Sequence, residues 1–184
     1  MVLVDAVHED QRVNMGGGKL QMIREFAKGR TFPQPRIAVD SSLVTLRRAG
    51  AAANLQAPPL EPPLDRLSRA DQTAWQLATA DSVYRLSWAA EMEWSPEELG
   101  RMHDDRLKDR ATLGNVPLVV ISRTVNRTDS LSVERDRQQE DLAALSKLGK
   151  HVVAPRSGHN VHLEDAGLVV REIGKVVGLV RSHH

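Results

Sequence analysis

Cysteine is absent from the 184 residues, which excludes disulfides, thiolate nucleophiles and cysteine-held metals while leaving the redox compartment open. Aromatic side chains are scarce, 3% of the chain, so each tryptophan draws notice. Neither sign of charge is in excess: 25 basic against 24 acidic side chains give a net charge of +1. That leaves no broad footprint for a polyanion, and no nucleic-acid partner is expected. No apolar run approaches the roughly 18 to 20 residues that span a bilayer, and no basic segment precedes a signal core. A cytoplasmic protein without a membrane span is therefore expected, with a secretory signal ahead of residue 1 as the alternative if the chain is truncated. Asn14-Met15-Gly16-Gly17-Gly18-Lys19 lacks the hydroxyl that follows the lysine of a phosphate loop, because Leu20 stands there. His8-Glu9-Asp10 lacks a second ligand pair at usable spacing and reads as a solvated loop. Neither a metal nor any other cofactor is expected.

With 41% hydrophobic and 27% charged residues, the length suits one globular core, alone or with an appendage. Three short aliphatic runs carry it: Val2 to Asp5, Pro117 to Ser122 and Lys150 to Ala154. Continuous runs of this kind, rather than alternating ones, mark buried parallel strands. Ser130 to Leu148 places Leu142, Leu145 and Leu148 on one side, with Arg135, Asp136, Arg137, Glu140 and Asp141 as a solvated face. A last amphipathic helix from Asp165 onward turns Leu168, Val169, Ile173, Val176, Val177 and Val180 inward. Lys19 to Lys28 has apolar residues at helical spacing and predicts one short helix. Prolines 33, 35, 58, 59, 62 and 63 punctuate an irregular connection, with a helix over Ser42 to Ala53 between them. Arg69 to Met102 is helical in composition, with breaks expected near Asp81-Ser82 and at Ser95-Pro96-Glu97-Glu98, an N-cap followed by proline at the first helical position. All three tryptophans, Trp75, Trp88 and Trp94, fall in this region; they suit helix packing or the lining of an apolar pocket.

The stretch Lys150 to Val180 reads strand, loop, helix, and its loop carries His159. An imidazole there can project beyond the carboxyl edge of a parallel sheet, where ligands of open α/β sheets bind, and can serve as a general base. Ser157-Gly158-His159-Asn160-Val161-His162-Leu163-Glu164-Asp165 resembles the catalytic-histidine segment of the α/β-hydrolase superfamily, S-G-H-x-x-x-L-E-x-P. Ala166 stands where that pattern has proline. At the other end, Val2-Leu3-Val4-Asp5 through Gln11 resembles the family's sixth strand and its exit loop. The G-x-S-x-G elbow that presents a nucleophilic serine is absent, as is an H-G-G-type oxyanion loop.

The resemblance implies an α/β class: a partial α/β-hydrolase fold of three parallel strands with an inserted helical cap. The core would comprise residues 1–10 and 113–184, and the cap residues 11–112. It implies an esterase-like hydrolase portion acting on a small, apolar, ester-like substrate. His159 would be the catalytic base and Asp5 its orienting acid, with Trp75, Trp88 and Trp94 lining the substrate pocket. Asp129 is the alternative acid, but Asn126 stands roughly where the family's seventh-strand loop carries one, which favours Asp5. On the residues alone Asp5 is equally a loop-capping carboxylate. Without a nucleophile the chain is expected to be inactive alone, and without the strands before Val2 it is expected to self-associate through an exposed sheet edge. A non-catalytic partner-binding module or a truncated gene product is the other reading.

Overall fold

Strand β4, Leu118–Arg123, is the pivot of the molecule: Leu118, Val120 and Ile121 have no solvent-exposed surface. In this computed structural model, residues 1–14, 17–28, 60–80, 82–109, 112–124 and 129–182 are described. The helix expected over Ser42 to Ala53, Gly16, Asn126, His183 and His184 lie outside them. β1 (Val2–Val4) pairs in parallel with one edge of β4, Val4 opposite Ile121, and β5 (Gly149–Ala154) with the other, Arg123 opposite Ala154. The sheet order is β1-β4-β5, and the protein is mixed α/β, as the three aliphatic runs predict.

Alternate β4 side chains feed two cores. Val119 and Ile121 pack with Ala154, Val161, Leu168 and Val176; Leu118 and Val120 pack with Leu142 and Ala143. Burying each of these large aliphatic side chains contributes about 1.5 to 3 kcal/mol. The first core is roofed by the short helix α4 (Val161–Glu164) and by α5 (Ala166–Ser182), and the second by α3 (Ser130–Ala143). Gly149 is required where α3 hands over to β5: a Cβ there would lie 1.8 Å from the Ala143 carbonyl oxygen. α5 buries less than its apolar pattern suggests. Leu168, Glu172 and Val176, four residues apart, face the sheet, whereas Ile173, Val177 and Val180 are exposed. A three-stranded sheet covers only one row of that helix.

The helix expected from Lys19 to Lys28 is instead strand β3 (Leu20–Met22) followed by a 3₁₀ turn, Ile23–Ala27. Gly17 and Gly18, at φ 61° and 77°, fold the chain back on β2, Arg12–Asn14, and the Ile23 amide donates to Gln11 O at 3.0 Å. The backbone donors of this segment thus go to a strand partner, and the tertiary pairing overrides the helical spacing. Residues Arg69–Ala80 (α1) and Ser82–Asp109 (α2) are helical; the break expected near Asp81-Ser82 falls on Asp81, outside the described residues, and the one expected at Ser95-Pro96 is absent, because α2 continues through Pro96. Proline there forfeits one intrahelical hydrogen bond; Pro96 and Leu99 are both buried, and their packing offsets it. Residues Met1–Lys28 and Ser95–His184 form one compact unit and Gly29–Trp94 another. Among the described residues no helix is long and apolar enough to cross a membrane.

The loop after β1 is buried rather than solvated. His8 and Glu9 are each only 3% exposed. The Asp10 amide donates to His8 Nδ1 at 3.0 Å, and His8 Nε2 lies 2.9 Å from Asp141 Oδ2 and 3.0 Å from Arg106 Nη1. The Arg106 guanidinium pairs with Glu9 and, at 2.8 Å, with Asp141. Asp10 in turn accepts from Arg24 Nε at 2.8 Å and lies 3.1 Å from His103 Nδ1. Apart from Arg24 of the 3₁₀ turn, these partners come from α2 and α3, far off in sequence, where three adjacent polar residues give no sign of them. Removing the cation strands a buried carboxylate, so Arg106→Met is expected to lower the unfolding free energy by about 3 to 5 kcal/mol, and Glu9→Gln added to it to recover much of that loss. Urea denaturation checks both; an unchanged midpoint for Arg106→Met contradicts the pairing.

Candidate active site

Asp5 follows β1 directly, and its amide donates to Ile121 O at 2.7 Å, the last rung of the β1–β4 ladder. Its φ is +44°, the one left-handed conformation outside glycine among the described residues. For an L-residue with a Cβ this costs on the order of 1 to 2 kcal/mol, and such positions gather at functional sites. The kink leaves a carboxylate only 12% exposed at the carboxyl edge of the sheet.

The loop from Pro155 to Asn160 leaves β5 at the same edge. Thr124 donates from its hydroxyl to Ala154 O at 2.9 Å, tying the exits of β4 and β5 together. The Gly158 amide donates to Glu164 Oε2 at 2.6 Å, which fixes the backbone just before His159. Asp165 caps α5 by accepting the Leu168 amide at 3.1 Å, so the helix starts well at Ala166 despite the missing proline. His159 Nδ1 then lies 2.6 Å from Asp5 Oδ2 across 154 residues of sequence. A carboxylate only accepts, so Nδ1 carries a proton, which in the neutral ring leaves the lone pair on Nε2. The ring is 71% exposed at its side chain, and Arg123 Nε stands 3.6 Å from the same Asp5 oxygen.

A cavity of about 310 Å³ opens beside this pair, with Asp5, His159, Ser122 and Arg123 in its lining. Its wall from α3 includes Arg135, Asp136 and Gln139. The sequence reading placed Arg135 and Asp136 on a solvated face; both are half-buried and line the cavity instead. The i, i+3, i+4, i+7 spacing of Ser132, Arg135, Asp136 and Gln139, one polar helix face, was the signal available for them. Ser122 Oγ also lies 2.8 Å from His151 Nε2, a contact between neighbouring strands. Trp75 and Trp88 are exposed and Trp94 is half-buried, all in the helices of the other unit. No group of three or more histidine and acidic side chains among the described residues could hold a metal.

Asp129 is engaged elsewhere. Its carboxylate caps α3, accepting from the Leu131 and Ser132 amides at 3.2 Å and from the Ser132 hydroxyl at 2.7 Å. The Ser132 hydroxyl above all, against an opposing effect of desolvation, together with the two amides and nearby Arg135, holds its pKa below the usual aspartate value. Comparison of the chain with protein-family models, curated proteins and solved structures finds no match.

A depressed native value means the cap contributes in full above the unfolded value of roughly 3.9 and is lost as the pH falls through the lower native one. Asp129→Ala is therefore expected to lower the thermal midpoint at neutral pH, and that difference is expected to shrink below about pH 4. Thermal melts across this range check it; equal midpoints at neutral pH contradict the capping role.

Proposed function

We propose that this chain supplies the acid and base of an α/β-hydrolase-type active site that cleaves an ester-like bond, with Asp5 orienting His159 and the nucleophile lying outside these 184 residues. The observation that carries it is the 2.6 Å contact from His159 Nδ1 to Asp5. It fixes the tautomer in which the exposed Nε2 can take a proton. In the proposed step, a hydroxyl nucleophile gives its proton to Nε2 as its oxygen bonds to the ester carbonyl carbon. The imidazolium, held by the Asp5 carboxylate, then protonates the departing alkoxide as the C–O bond breaks; water repeats the sequence to release the acid. The left-handed backbone at Asp5 and the strand order both support this reading. The exposed row Ile173, Val177 and Val180 on α5 favours a second one, a partner-binding module.

The test compares p-nitrophenyl acetate hydrolysis by residues 1–184 with that of a protein extended by whatever in-frame sequence precedes Met1. The short chain is expected to match its own His159→Ala variant. In the extended protein His159→Ala is expected to cost a factor of about 10⁶, and Asp5→Asn about 10⁴. Turnover by the short chain that vanishes in Ser122→Ala, or an extended protein indifferent to His159, would overturn the proposal.

A further inference from the structure

Helix α5 turns Leu168, Glu172 and Val176 toward the sheet. Its other side carries Ala166, Val170, Ile173, Val177 and Val180, all exposed. These are spaced four, three, four and three residues apart, the a/d repeat of a helix that packs lengthwise against another helix. No polar side chain interrupts the row, and a contiguous exposed apolar row marks an interaction surface. Gly167 and Gly174 border it on one flank, and a Cβ at Gly174 would have nothing within 4 Å. Glycine weakens a helix interior, and no atom of this chain crowds position 174. A flank without side chains lets a second helix approach closely.

The ends of α5 identify that second helix. Glu164 and Asp165 are acidic at its start, and Arg181 is basic in its last turn. Asp165 Oδ1 stands 4.0 Å from the place a Gly167 Cβ would take. We propose that α5 is a dimer interface on which a second copy of this chain lies antiparallel, with Ile173 against Ile173 at the two-fold axis. Val180 of each copy then meets Ala166 of the other. Arg181 crosses the bare flank at Gly167 and reaches Asp165, once at each end. Antiparallel pairing also sets the positive end of one helix dipole beside the negative end of the other. A parallel pair would instead place Arg181 beside Arg181 and acid beside acid. Two heptads are short for helices that must fold as they pair, but α5 is already held on the sheet. A second copy is thus the partner in the partner-binding reading given above, on which this assignment rests; neither Asp5 nor His159 takes part.

Sedimentation equilibrium of residues 1–184 reads the association, and circular dichroism reads the fold of each variant. The native chain is expected to dimerise. Ile173→Glu brings two carboxylates together at the axis and is expected to weaken the dimer by at least about 100-fold. Gly174→Leu is expected to raise the thermal midpoint at a concentration where the native chain is monomeric, yet to weaken the dimer by about tenfold; a purely structural position would show only the first effect. Because the chain has no cysteine, introduced cysteines report the register. Under mild copper oxidation Ile173→Cys is expected to cross-link to itself, and Ala166→Cys to Val180→Cys in a mixture. Val180→Cys alone is expected not to, its two copies lying ~20 Å apart. A monomer at every concentration would overturn the proposal, while leaving the face to a different protein and the partner-binding reading intact. Self-linking of Val180→Cys would overturn it in favour of a parallel pair. A dimer indifferent to both Ile173→Glu and Val177→Glu would overturn it and remove α5 from the partner-binding reading as well.

Discussion

The parallel register of β4 with its two neighbours is the constraint from which the site follows. Val4 lies opposite Ile121, so the chain leaves β1 at Asp5 just where the Asp5 amide can reach Ile121 O. Arg123 lies opposite Ala154, so the loop to His159 leaves β5 at the same edge. Both exits face the carboxyl ends of the strands, the edge at which open α/β sheets present their ligand-binding groups. A one-residue slip in either ladder would turn its strand's side chains to the opposite faces of the sheet. β4 tolerates no such slip, because its two faces are claimed by separate cores, one under α5 and one under α3.

Around that register the two partners are unequally sheltered. The Asp5 side chain is mostly enclosed, whereas the His159 ring is largely open to solvent. In the proposed reaction the acid benefits from a fixed position between the sheet edge and Arg123, and the base needs exposure to meet a substrate. The contacts among His8, Glu9, Arg106 and Asp141 anchor the loop that continues from Asp5. Their contribution is to hold that segment in one conformation, so the acid stands on a fixed support.

The three strands were legible because each is a continuous aliphatic run, and Asp5 and His159 because each follows such a run. What could not be read depended on residues distant in sequence. The Lys19 to Lys28 segment has helical spacing, but strand β2 pairs with it once two glycines with positive φ reverse the chain. Pro96 carries the signature of a helix start and lies inside α2 because burial of its neighbourhood outweighs one lost hydrogen bond. His8 and Glu9 look solvated in isolation and are enclosed by partners from α2 and α3. On α5, the apolar stripe is wider than the sheet beneath it, so pattern alone overstated what is buried. The polar wall of α3 was read as a solvent face because charge says nothing about which side of a helix meets a cavity.

The proposed role of His159 rests on the protonation pattern of its ring. Long-range ¹H–¹⁵N NMR of the imidazole nitrogens, at a pH where His159 is neutral, distinguishes a nitrogen that carries a proton from one that does not. The expected result is a protonated Nδ1 and a bare Nε2 in the native chain, with that preference lost in Asp5→Ala. A proton on Nε2 in the native chain, or a pattern indifferent to Asp5→Ala, would contradict the claim that Asp5 sets His159 up as a base.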